Sequence, residues 1–184
     1  MILDMNKRNS RWALIAAVCA MTALLAGPMA MRPAVAEELP KESVLLLGIA
    51  NKAIYAALES CKKDGYRVSV SVVDRAGVLR AMGRADGAGS HTIESSRKKA
   101  YTAASMRRTT TELADLTIKV PTLQALGNIN DDMLILGGGL PIEISGEIVG
   151  GIGVSGAPGT HLDDACAQDG LDAIGAAPKV GSSK

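Results

Sequence analysis

The stretch Leu136–Ala157, L-G-G-G-L-P-I-E-I-S-G-E-I-V-G-G-I-G-V-S-G-A, constrains the fold more than any other part of the chain. Two apolar runs flank Ser145-Gly146-Glu147, the layout of a β-hairpin. In the first run Ile142 and Ile144 bracket Glu143, the alternation of a half-buried strand. The second run carries Gly150, Gly151, Gly153 and Gly156. Glycine weakens a strand, so this repetition marks bulges or the close approach of something flat. Two occupants fit that space, a helix packed tightly on the sheet or a planar ligand.

The remaining pattern supplies partners for the hairpin. Ser43–Lys63 repeats Leu46, Ile49, Ala53, Ala57 and Leu58 at helical spacing, and Gly65 follows as a C′ residue. Arg67–Asp74 alternates Val68, Val70 and Val72 with Arg67, Ser69 and Ser71, which predicts a strand. Arg75-Ala76-Gly77 turns the chain into a second strand, Val78–Met82, followed by a glycine-rich loop over 83–89. Helices are predicted over Thr92–Ser105, over Glu112–Lys119 with Thr110 or Thr111 as its cap, and over His161–Ile174. Residues 120–132 read as a loop, Met133–Leu136 as the start of the later strands, and residues 176–184 as a frayed polar tail. Strands and helices do not alternate as βαβ units, so the chain is α+β with an antiparallel sheet.

Residues 1–36 read as a separate object. Lys7, Arg8 and Arg11 precede an apolar run, Ala13–Ala26, and Ala34-Val35-Ala36 is an A-x-A cleavage signal, together the pattern of a secretory signal peptide. The apolar run falls short of the ~20 residues of a membrane-spanning helix, so no stable membrane anchor is expected. Loss of this segment removes Lys7, Arg8, Arg11 and Arg32 against Asp4 and turns the formal charge from +1 to about −2. An acidic domain of that kind is no nucleic-acid binder. It also retains no Trp or Phe, only Tyr55, Tyr66 and Tyr101, which excludes single-strand binding by aromatic stacking. Cys61 and Cys166 stay in the exported part, either as a disulfide between the first and last helices or as two buried thiols.

Taken in order, V-S-V-S-V-V-D-R-A-G-V-L-R (Val68–Arg80), R-A-D-G-A-G (Arg84–Gly89), E-S-S-R-K-K-A-Y-T-A (Glu94–Ala103), T-T-E-L-A (Thr110–Ala114) and the glycine-rich hairpin resemble the GlcG/HbpS family of haem-binding and haem-degrading proteins. The resemblance spans about Ser43 to Leu171. It implies a profilin-like, five-stranded antiparallel sheet with the terminal helices packed together, a homo-oligomer, and haem as the cofactor. It also implies a threonine as an unusual iron ligand, which falls here on Thr110 or Thr102. Around these, Arg97, Lys98, Lys99, Arg107 and Arg108 form a cationic rim suited to propionates, with a solvated helix face as the alternative. Tyr101 is of a type that ligates or stacks on haem, and His91, in the loop before that helix, is a stronger iron ligand than threonine.

Other chemistries fit less well. No G-x-S-x-G elbow accompanies Ser90, His91 and Asp86, which argues against a hydrolytic triad. Two distant histidines make no zinc site, and Asp163 and Asp164 beside His161 fit the positive end of a helix. Gly151-Ile152-Gly153-Val154-Ser155-Gly156 matches a dinucleotide string but lies within a hairpin strand. Two further readings remain: a sensor-accessory or assembly module that docks on an extracytoplasmic sensor protein, and a binder of another flat cofactor such as a corrinoid.

Overall fold

The computed structural model describes residues 38–176. The expected signal segment therefore lies outside the described residues, as does the expected tail apart from Ala176, which is buried in the core. From Glu42 onward the described chain forms one compact unit, and the few described residues before it carry no regular structure.

Four helices and four strands follow in the order α1 (Leu47–Lys63), β1 (Ser69–Asp74), β2 (Leu79–Arg84), α2 (His91–Met106), α3 (Thr110–Lys119), a 3-10 helix (Pro121–Asn128), β3 (Gly139–Ile144), β4 (Glu147–Ser155) and α4 (Thr160–Ala173). The sheet order is β2-β1-β4-β3, antiparallel throughout. This is the expected α+β architecture with four strands in place of five. The segment Met133–Leu136 is no strand, because the Leu134 N–H donates to the Thr102 hydroxyl at 2.8 Å and not to a neighbouring strand. Its approach to the sheet begins only at Gly138, whose carbonyl accepts from Val154 N–H at 2.8 Å. Ser145 and Gly146 both have positive φ, 54° and 81°, as a tight hairpin turn between β3 and β4 requires.

One face of the sheet is covered by α1 and α4. Val68, Val70, Val72, Leu140, Ile142, Ile152 and Val154 point into a shared core with Ala50, Ala53, Ala57, Ala167 and Leu171. Cys61 and Cys166 close that layer with a disulfide, their Cα atoms 5.5 Å apart, so the pairing left open in the sequence is the one formed. The opposite face carries α2. Ser69 and Ser71 are fully buried there. Their hydroxyls meet Thr92 Oγ1 at 2.7 Å and Ser96 Oγ at 2.8 Å, so the polar half of the β1 alternation is a hydrogen-bonded seam with α2.

The glycines of β4 make that seam possible. A Cβ on Gly153 would overlap the Ser96 carbonyl oxygen and lie 2.6 Å from Ala100 N, and one on Gly151 would overlap the Ala100 carbonyl. Backbone therefore lies on backbone, and the helix, not a planar ligand, occupies the space opened by the glycine run.

Candidate functional site

Every residue proposed from sequence lies on α2, at its ends, or at the start of α3, but the structure sorts them into three kinds. The first kind is structural. Thr102 is fully buried, its hydroxyl donating to Lys98 O and accepting from Leu134 N–H, both at 2.8 Å. Thr110 is fully buried too and accepts from Gly139 N–H at 2.8 Å. Both hydroxyls hold the β3 approach against α2 and α3. Neither faces outward, and ligating a metal would cost each its backbone partner. The cap of α3 is Thr109, which accepts from Glu112 N–H at 3.1 Å, one position before the residues expected in that role.

Lys99 belongs with this structural set and leaves the cationic rim. Only 1% exposed, it donates to Asp163 Oδ2 at 2.8 Å and to Val154 O at 3.0 Å. Asp163 Oδ1 also accepts from Ala157 N–H at 3.0 Å. Burial pushes the Asp163 carboxyl above its usual range, outweighing the neighbouring ammonium that draws it down. Asp164 accepts from Gly138 N–H at 2.6 Å and from Thr111 Oγ1 at 2.5 Å. The two carboxylates at the start of α4 thus tie together α2, α3, the entrance of β3 and the exit of β4. With their oxygens so engaged these carboxylates are not free to hold a metal cation, and among the described residues no three His, Cys, Asp or Glu side chains cluster as metal ligands.

A second kind is half-exposed on the outer side of α2. Arg97 donates to Asp132 at 2.8 Å and to Glu94 at 3.0 Å, and its bond to Asp132 raises its pKa further. Tyr101, one turn on, sets its ring over the β1–β2 turn, where a Cβ on Gly77 would stand 2.6 Å from it. Asn130 Nδ2 lies 3.5 Å from the Tyr101 hydroxyl.

The third kind is exposed: His91 at the start of α2, and Arg107 and Arg108 beyond its end. Arg107 takes the left-handed C-cap conformation (φ 53°) usually given to glycine. Among the described residues no carboxylate lies within ion-pair distance of either arginine. At a rise of 1.5 Å per residue, His91 and Arg107 stand about 24 Å apart along the helix. The structure therefore brings Arg97 and Tyr101 together, and Arg107 with Arg108, but leaves His91 at the far end.

Sequence reasoning missed Asp163 and Asp164 as partners of this helix. The signal was present in Lys99, which falls on the stripe Thr92, Ser96, Lys99, Ala103 that α2 buries. A lysine on a buried stripe demands a carboxylate.

The molecule is thus an α+β domain with one face of its sheet sealed by disulfide-linked helices and the other held by a single polar helix. Its relatives agree. The family model described as haem degrading protein HbpS-like matches residues 45–172, and the chain belongs to this family. It is 32% identical over 112 residues to Protein GlcG of Escherichia coli K12, covering 61% of this chain and 81% of that protein. The crystal structure of HbpS shares 43% identity over 73% of this chain and 93% of its own, with a TM-score of 0.68. The PduOC:heme complex shares 29% identity over 73% of this chain and 98% of its own, also with a TM-score of 0.68.

Proposed function

We propose that this chain is an exported haem-binding protein that sequesters haem and assists its oxidative breakdown. The observation that carries the proposal is the combination of membership in a haem-degrading family with a like-folded relative, PduOC, solved in complex with haem. The outer side of α2 offers what haem needs beyond a fold: an aromatic ring at Tyr101 of a type known to ligate haem iron, on a helix flanked by cationic side chains. Bound there, haem would supply the oxygen chemistry, while the chain binds, orients and gives access to it. The Cys61–Cys166 disulfide fits an oxidising, extracytoplasmic compartment.

Assembly into a homo-oligomer accompanies this reading. Ile118 is 77% and Ile129 71% exposed, around a 3-10 helix with no buried residue, a surface better suited to a subunit contact than to water. The test is a haemin titration of the exported chain followed by its visible spectrum. A saturable Soret shift at stoichiometric haemin is expected, and a linear, unsaturable response would refute haem binding.

A further inference from the structure

The α2 side of the sheet is covered unevenly. Ser71 and Val73 of β1 lie under α2, Ser71 through its bond to Ser96 and Val73 through its packing on Ala100 and Ala104. Their cross-strand partners on β2 are Met82 and Leu79, which share that face. Yet Met82 is 37% and Leu79 46% exposed, because α2 sits over β1, β4 and β3 and stops short of the edge strand. The next residue on the same face is Arg84, opposite Ser69. Its guanidinium is fixed by the Ala88 carbonyl, a neutral acceptor, and among the described residues no carboxylate pairs with it. Tyr101, over the β1–β2 turn, closes the end near Leu79. The flank between β2 and α2 therefore runs from aromatic to aliphatic to thioether to an anchored, un-neutralised cation.

We propose that this flank is the surface on which the porphyrin lies, with its plane over Leu79 and Met82, its apolar edge toward Tyr101 and its propionates toward Arg84. The inference rests on the haem-binding reading and adds a location for it. The ligand it fits is a flat apolar molecule with both negative charges on one edge, because on this face Tyr101, Leu79 and Met82 form an apolar row and Arg84 stands at one end of it. Arg84 also deters pairing of this edge with another strand, while the row itself stays open to a planar anion. Met82 and Tyr101 are also side chains of the kinds that ligate haem iron.

The test compares haemin titrations of the full chain with those of Met82→Glu, Arg84→Ala and Arg107→Ala/Arg108→Ala, each checked for folding by its thermal transition and for subunit number by its mass in solution. Met82→Glu should lower haemin affinity roughly tenfold or more, since an unpaired carboxylate forced against an apolar plane costs at least the energy of one decade. Arg84→Ala should weaken binding several-fold, and the double arginine change should leave it nearly as it was. Unaltered affinity in Met82→Glu would overturn this location while leaving haem binding intact. So would a change in subunit number without a change in affinity, which assigns the flank to a second copy of the chain. Absence of saturable binding by the unaltered chain would overturn the functional reading and the location with it.

Discussion

On the α1/α4 side of the sheet, Val68, Val70, Val72, Ile152 and Val154 meet alanines and leucines, and a disulfide joins the two helices that cover them. On the α2 side the same strands present Ser69, Ser71, Gly151, Gly153 and Ser155, and the contacts are hydroxyl to hydroxyl and backbone to backbone. The first side gains its stability from apolar area, which tolerates small shifts. The second depends on directional bonds and on contacts with no spare room, which fix α2 in one position. A helix packed in the second way holds Arg97 and Tyr101 in fixed places. Stability is concentrated on one face and positional accuracy on the other.

The largest effect is expected on the apolar side. Replacing Cys61 and Cys166 by Ser opens a cross-link spanning 105 residues. The chain-entropy relation assigns about 4.7 kcal/mol to a loop of about 100 residues. Urea unfolding of the double variant should fall by an amount near that, with haemin affinity unchanged at low denaturant. Loss of haem binding without loss of stability would break the division between the faces.

Next comes the buried pair. Asp163→Ala leaves Lys99 charged and unpaired in the core, a change that costs about 3–5 kcal/mol. Replacing both by apolar residues, Lys99→Met with Asp163→Leu, should recover most of that loss. If the double variant is no better than the single, the pair is not a coupled unit. The pH dependence has a definite sign. Because the Asp163 carboxyl titrates above its ordinary value in the fold, its ionisation works against folding. Wild type should therefore gain stability relative to Asp163→Asn as pH falls through the folded value toward about 4, the ordinary carboxylate value. Glu147 behaves oppositely. Bonds from Ser43, then Arg75, hold it below its usual range, so its contribution is present at neutral pH and fades as acid protonates it.

Smaller still, Gly153→Ala pushes a methyl into the Ser96 carbonyl and should cost about 1–3 kcal/mol. Here the two faces are separated most sharply: the variant should also lower haemin affinity, because α2 must shift, whereas a cavity of at least that cost on the other side, such as Leu171→Ala, should not. The smallest effect belongs to Arg97→Ala, whose partners Glu94 and Asp132 are both solvent-exposed. Thermal melts should register about 0–1 kcal/mol.

The sequence made the apolar face legible. Period-two valines, a glycine-rich hairpin with Ser145-Gly146 at its turn, and helical spacing in Ser43–Lys63 all carry local signals, and the elements fall within a few residues of their predicted places. The second face was harder to read because its determinants are long-range. Lys99 and Asp163 are separated by 64 residues, and Thr102 meets Leu134 across 32. The burial of Ser69 and Ser71 was not legible, because a small hydroxyl serves equally well in water and in a hydrogen-bonded seam. For Thr102 and Thr110, nothing local distinguishes an outward hydroxyl from one engaged by backbone.

Hydrogen exchange of residues 37–184 with and without haemin tests the account most directly. If the α2 side carries the site, haemin should slow exchange in Leu79–Arg84 and His91–Met106 and leave Leu47–Lys63 and Thr160–Ala173 unchanged. Protection confined to those last two helices would contradict it.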